Sequence, residues 1–162
     1  MDNTDTYKLD RFIKAQGTTY ETALGEIKNG YKTNHWMWWI FPQLKGLGRS
    51  RRSYFYGIDD LCEAKQYLED EILGSRMREC CTELLKLQAN DPVAIFGGID
   101  ARKLRSSMTL FDAVSPNDIY SKVIEVFYFG KRDAYTLRLI EEARTCHGVL
   151  DKPIKATEIT EQ

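Results

Sequence analysis

Lys103 and Ser107 stand four positions apart in "DARKLRSSMTLF", Asp100 to Phe111. That spacing puts them one turn apart on the same side of a helix. At about 100° per residue, the same broad arc carries Leu104, Met108, Leu110 and Phe111, with Asp100 inside it. Arg105 and Thr109 point away, and Ser106 lies at the margin. A lysine and a serine among apolar groups cost free energy unless they are paired. Lys103 therefore requires Asp100, a helix terminus or an anionic ligand. The same pair is also what a Ser-Lys nucleophile needs, with Lys103 as general base and Ser107 as attacking hydroxyl. Against catalysis, the SxxK order of Ser-Lys enzymes is reversed and no oxyanion hole is recognisable. An internal Asp-Lys-Ser network and an anion site are the competing readings.

A second concentration of chemistry is "HWMWWIFPQL", His35 to Leu44. Thr33 or Asn34 can cap a short helix beginning at His35, and Pro42 forces Phe41 out of helical geometry. A neutral imidazole at that start could donate through one nitrogen and accept through the other. Six consecutive apolar residues, Trp36 to Phe41, cover every direction of two turns, so protein or ligand must surround them. Core packing is the simplest explanation for most of the tryptophan surface. Immediately after comes "GLGRSRRS", Gly46 to Ser53, where glycines free the backbone while arginines and serines add charge and hydroxyls. It matches neither the GxGxxG fingerprint nor a Walker loop. Beside an aromatic wall, it has the parts of a nucleotide-like pocket, with a solvated basic turn as the alternative.

The candidate catalytic residues are thus His35, Asp100, Lys103 and Ser107. The candidate ligand-binding residues are Trp36, Trp38, Gln43, Gly46, Gly48, Arg49 and Ser50. No cofactor or metal is expected: Cys146 beside His147 lacks the ligand count of a zinc site.

These groups require a helical scaffold. Apolar residues recur at helical spacing through Leu9, Phe12 and Ile13, then Tyr20, Ala23, Leu24 and Ile27, with Gly30 as the stop. Leu61, Ala64, Leu68 and Ile72 form one stripe, and Leu73, Met77, Cys80, Cys81, Leu84 and Leu85 another. Asp91 and Pro92 begin a short helix that reaches Phe96 and closes at Gly97 and Gly98. Asp100 can cap the next helix. Ser115 and Pro116 start another through Ile119, Val123, Val126 and Phe127, stopped by Gly130. A last helix runs from about Asp133, capping through Thr136, to Cys146. Only "RSYFYGI" suggests an extended piece. The expected fold is all-α: a compact single-domain bundle of about seven to eight helices over residues 1–148, with a polar tail over 149–162.

The 162 residues are 43% hydrophobic, enough for one domain with a substantial core. The 23 Lys plus Arg nearly cancel 24 Asp plus Glu, so no global field points to membrane or nucleic acid, and the latter is an unlikely partner. The polar N-terminus lacks signal-peptide features, and the longest apolar run falls far short of the roughly 20 residues a bilayer needs. A cytoplasmic location with reduced cysteines is expected.

"HWMWWIFPQL", "GLGRS", "EAKQYL", "IFGGIDARKLRSSMTLF" and "FYFGKRDAYTL", in this order from Asp10 to about Ile140, resemble the bacterial family catalogued as domain of unknown function 1810. The resemblance implies a compact all-helical domain and supplies no reaction or catalytic residues. Two functions remain in competition. One is an enzyme or sensor for a small phosphorylated, nucleotide-like ligand of the ADP-ribose type. The other is a helical protein-interaction module without catalysis, using the Arg49 to Arg52 loop.

Overall fold

The computed structural model describes residues 8–143. Among these residues it has ten α-helices and no strand. They are α1 (Asp10–Gly17), α2 (Tyr20–Asn29), α3 (Met37–Ile40), α4 (Arg51–Phe55), α5 (Leu61–Glu69), α6 (Glu71–Lys86), α7 (Pro92–Phe96), α8 (Gly98–Val114), α9 (Ile119–Tyr128) and α10 (Ala134–Ala143). The expected all-helical domain is what forms; the short helices α3 and α7 fall on segments expected to be helical, and α4 forms where an extended piece was expected. The C-terminal stretch of the last predicted helix and the tail fall outside the described residues.

Helix α8 is the hub, packing against α5, α7, α9 and α10, while α6 packs against α2, α5 and α9. Its seven consecutive residues Ser106 to Asp112 are all buried. The expectation that Arg105 and Thr109 face away from the core is therefore only half the picture. Their side of α8 is covered by the segment leading into α10, where Asp133 N–H donates to Thr109 Oγ1 at 3.0 Å.

Several helix boundaries follow the sequence closely. Gly30 adopts the left-handed conformation at φ 74° and ends α2. Asp91 accepts from Val93 N–H with Pro92 in the first turn of α7. Asp133 accepts from both Thr136 N–H (2.9 Å) and its hydroxyl (2.6 Å) at the start of α10. Cys80 and Cys81 are buried free thiols, and burial pushes Cys80 up to about 12.

Other boundaries differ for local reasons. The stripe expected to include Ile72 breaks at Asp70, which ends α5 and caps α6 by accepting from Ile72 and Leu73 N–H; Ile72 is exposed. Gly97 rather than Asp100 holds the N-cap of α8, leaving Asp100 in the first turn. Asp118 rather than Ser115 caps α9: α9 starts at Ile119, whose N–H donates to Asp118, and the Ser115 hydroxyl donates to the same carboxylate at 2.8 Å. Phe129 itself takes the left-handed conformation at φ 56°, one residue before Gly130.

Most of "RSYFYGI" is helical rather than extended, but Ile58 forms an isolated parallel bridge with Leu44. Lys45 N–H donates to Ile58 O at 2.8 Å and Ile58 N–H to Gln43 O at 2.9 Å, which anchors the loop after the tryptophans. The approach depends on Gly57, where a Cβ would meet Ser53 O at 2.7 Å and Lys45 Cα at 2.8 Å. Both are backbone atoms and cannot swing aside. Gly57→Ala is expected to cost roughly 1–3 kcal/mol through this overpacking. The measurement is a lowered urea midpoint at unchanged m-value; wild-type stability in the variant would contradict the account.

Candidate functional site

The three tryptophans of the aromatic segment have three different surroundings. Trp36 is 1% exposed and donates its indole N–H to Glu26 at 2.9 Å. Trp39 donates to Thr19 Oγ1 at 2.8 Å, and its carbonyl accepts from the buried Gln16 amide at 2.8 Å. Trp38 alone lines a cleft, with the Lys103 ammonium 3.7 Å from its ring centroid.

Glu26 places the start of this segment. Its carboxylate accepts from Thr33 N–H (2.8 Å) and hydroxyl (3.0 Å), Asn34 N–H (3.0 Å) and side-chain amide (2.5 Å), and the Trp36 indole. Glu26 holds Thr33 and Asn34 before the N-cap position, which Trp36 takes without a side-chain bond as α3 starts at Met37. His35 lies before the helix and is exposed. The expected helix-start environment for its imidazole is therefore not formed.

The cleft has a volume of about 290 Å³ and lies where α3, the 43–48 loop, α8 and the start of α10 meet. The bridge to Ile58 fixes Gln43, which is buried at the cleft wall. Gly48 passes so close to Ser53 that a Cβ would sit 2.7 Å from the Ser53 Cβ. Ser53 is in turn tied to Ser50, donating through its N–H (3.1 Å) and hydroxyl (2.7 Å).

Helix α8 supplies Ile99, Arg102, Lys103 and Ser106 to the wall. Lys103 is 3.4 Å from Asp100 Oδ1, and Lys32 is 2.8 Å from Asp100 Oδ2. Lys32 also lies over the Trp36 ring at 5.0 Å. One carboxylate thus holds two ammonium groups against two indoles. This triad keeps an excess of positive charge, to which the exposed Arg102 adds. The excess favours an anion in the adjoining cleft.

The opposite wall, with Asp133 and Tyr135, is held by the polar face of α8. Arg105 donates to the Lys131 and Arg132 carbonyls at 2.8 and 3.0 Å, and Arg132 Nε donates to Asp112 at 2.9 Å. Burial pushes the Asp112 carboxyl up, opposed by the Arg132 guanidinium. Neither ion partner lines the cleft; both fix the loop that does.

Of the residues singled out from sequence, Trp38, Gln43, Gly48 and Lys103 line this one cleft, with Asp100 bound to Lys103. Trp36 lies in the core. His35, Gly46, Arg49 and Ser50 are exposed and outside the lining. Ser107 is fully buried, with no hydrogen-bond partner for its hydroxyl among the described residues, and does not line the cleft. Ser106 does, donating to Arg102 O at 3.1 Å. Sequence reasoning left out Leu47, Ile99, Arg102, Ser106, Asp133 and Tyr135 as site residues. Adjacency to Lys103 could have indicated Arg102, whereas Tyr135 reaches the cleft only through long-range packing. Among the described residues no cluster of His, Cys, Asp and Glu suits a metal ion, and no helix is long and apolar enough to cross a membrane.

The Glu26 clamp makes stability pH-dependent. Burial tends to raise the carboxyl's pKa, but the donors from Asn34, Thr33 and Trp36 outweigh it and hold it at about 2. Because the folded value lies below the ordinary 4.5, the stabilisation is complete above that range and is lost as pH falls toward 2. Glu26→Gln should lower stability at neutral pH by roughly 1–3 kcal/mol, since its amide cannot accept all five bonds. The gap to wild type should then narrow on acidification. Parallel urea-midpoint curves for the two proteins through that window would rule the clamp out.

Comparison with known proteins places this geometry in context. The family model described as "protein of unknown function (DUF1810)" matches residues 6–140. The crystal structure of a conserved hypothetical protein from Mycobacterium tuberculosis is 39% identical, with a TM-score of 0.81, over 83% of this chain and 97% of that one. No curated protein matches the chain.

Proposed function

The chain belongs to the DUF1810 family of proteins of unknown function, and we propose that it binds a small phosphorylated, nucleotide-like ligand of the ADP-ribose type in the Trp38 cleft. The observation that carries this reading is Lys103, held by Asp100 with its ammonium on the Trp38 ring, at the wall of a cavity that Arg102 also lines. Lys103 and Arg102 supply charge for phosphate. Trp38 and Tyr135 supply aromatic surface for a base or sugar, and Gln43, Ser106 and Asp133 supply polar groups that fix orientation. Asp100 orients Lys103 rather than touching the ligand. Arg49 and Ser50, exposed on the following turn, extend the site outward for a second phosphate.

A different observation favours the second reading, an interaction module. Arg49, Arg51 and Arg52 are exposed beside Tyr54 and Phe55, themselves 70% and 56% exposed. That surface has the mixture of arginine and aromatic groups enriched at protein interfaces.

The test is thermal unfolding with ADP-ribose, AMP and ribose 5-phosphate. A ligand at a hundred times its Kd should stabilise the fold by about 2.7 kcal/mol. That corresponds to a shift of very roughly 5–10 °C for a domain near this size. Lys103→Ala should weaken binding at least ~10-fold, the effect of losing about 1.4 kcal/mol from a charge-assisted contact. Silence from all three compounds, or an undiminished shift in Lys103→Ala, would overturn the reading.

A further inference from the structure

A second cavity, of about 490 Å³, lies away from the Trp38 cleft, where the junction of α5 and α6 faces the junction of α8 and α9. Tyr120 lines it. The residue is 1% exposed, its ring packs on Phe111 at 6.0 Å, and its hydroxyl has no hydrogen-bond partner among the described residues. A buried phenol normally finds such a partner. Unlike the Ser107 hydroxyl, which is sealed in the interior, this one opens onto a cavity where a ligand can supply the partner.

Both hydroxyls and both cations around this space already have partners within the protein. Ser75 donates its hydroxyl to Glu71 O at 2.6 Å, and Ser115 donates to Asp118 at 2.8 Å, which leaves only oxygen lone pairs for a ligand. Lys65 is paired with Glu69. Arg78 makes a bidentate contact to Asp118 at 3.0 and 2.9 Å. Asp70 uses Oδ1 to cap α6, leaving Oδ2 uncommitted, and Glu71 places a further carboxylate at the rim. With Lys65 paired to Glu69 and Arg78 to Asp118, the lining keeps two carboxylates, Asp70 and Glu71, without an ion partner among the described residues. Leu68 and Val114 complete it with apolar surface.

We infer that this cavity is a binding site for a compact organic ammonium ligand, with its N–H groups on the Asp70 and Glu71 carboxylates and the Tyr120 hydroxyl, and its hydrocarbon on Leu68 and Val114. An anion would meet net negative charge there, with both cations already paired to carboxylates. A cation bearing several N–H donors finds acceptors at both ends and a short apolar path between them.

Titration calorimetry with 1,4-diaminobutane, butyrate, inorganic phosphate and magnesium chloride tests the assignment on the full chain. Diaminobutane is expected to bind with a stoichiometry of one. Tyr120→Phe, which keeps the ring and its packing, should weaken it ~10-fold or more. Glu71→Gln, a surface change that leaves the core untouched, should weaken it severalfold. Tighter binding of butyrate, phosphate or magnesium than of the diamine would overturn the inference. So would no diamine binding, or equal affinity in wild type and both variants.

Discussion

The burial of α8 on nearly every side is the constraint from which the rest of the structure follows. Seven consecutive residues from Ser106 to Asp112 are buried, only Ser106 reaching the cleft, so each polar group among the others must find an internal partner or remain unsatisfied. Thr109 meets Asp133 N–H, Asp112 meets Arg132, and Arg105 at the edge meets two carbonyls of the 131–132 segment. Those bonds, made to bury a helix, fix the loop that brings Asp133 and Tyr135 to the cleft. The Ser107 hydroxyl is the exception, buried without a partner.

The other cleft wall depends on similar logic applied to a carboxylate. Glu26 gathers five donors from a loop that would otherwise carry several unpaired N–H groups and a buried indole. Fixing Trp36 in the core sets the start of α3, and Trp38, two residues on, lies against Lys103. The Lys32–Asp100–Lys103 arrangement then joins this segment to the first turn of α8. Positive charge at the site is therefore held by two lysines across one aspartate. The neighbouring arginine run, though denser in charge, faces solvent.

Much of the helical pattern could be read directly. Gly30, Asp91 with Pro92, and Asp133 mark boundaries because their caps need only neighbours within a few residues. Where two local signals compete, the sequence misleads. Ser115 and Asp118 both offer an oxygen near the start of α9, and Asp118 is the cap because the helix begins directly after it, with Ser115 bound to its carboxylate from outside the helix. Thr33 and Asn34 look like caps for the tryptophan helix, yet a glutamate seven or eight positions away binds them first. That Lys103 needs a partner was legible, with Asp100, a helix terminus and an anion as the alternatives, and packing makes it Asp100. Lys32 as the second cation was not.

The sequence by itself determined the all-helical class, most helix positions, the family and the inward direction of Lys103, because periodicity, capping and near-neighbour pairing act over one or two turns. Tertiary structure alone decided which polar groups share a cleft. It set His35 and Ser50 at the surface and Ser107 in the interior, drew in Tyr135, and left the Tyr120 hydroxyl facing a second cavity. Those placements arise from close packing between segments separated by tens of residues. Side-chain volume and long-range hydrogen bonds choose among alternatives there that local propensity leaves equal.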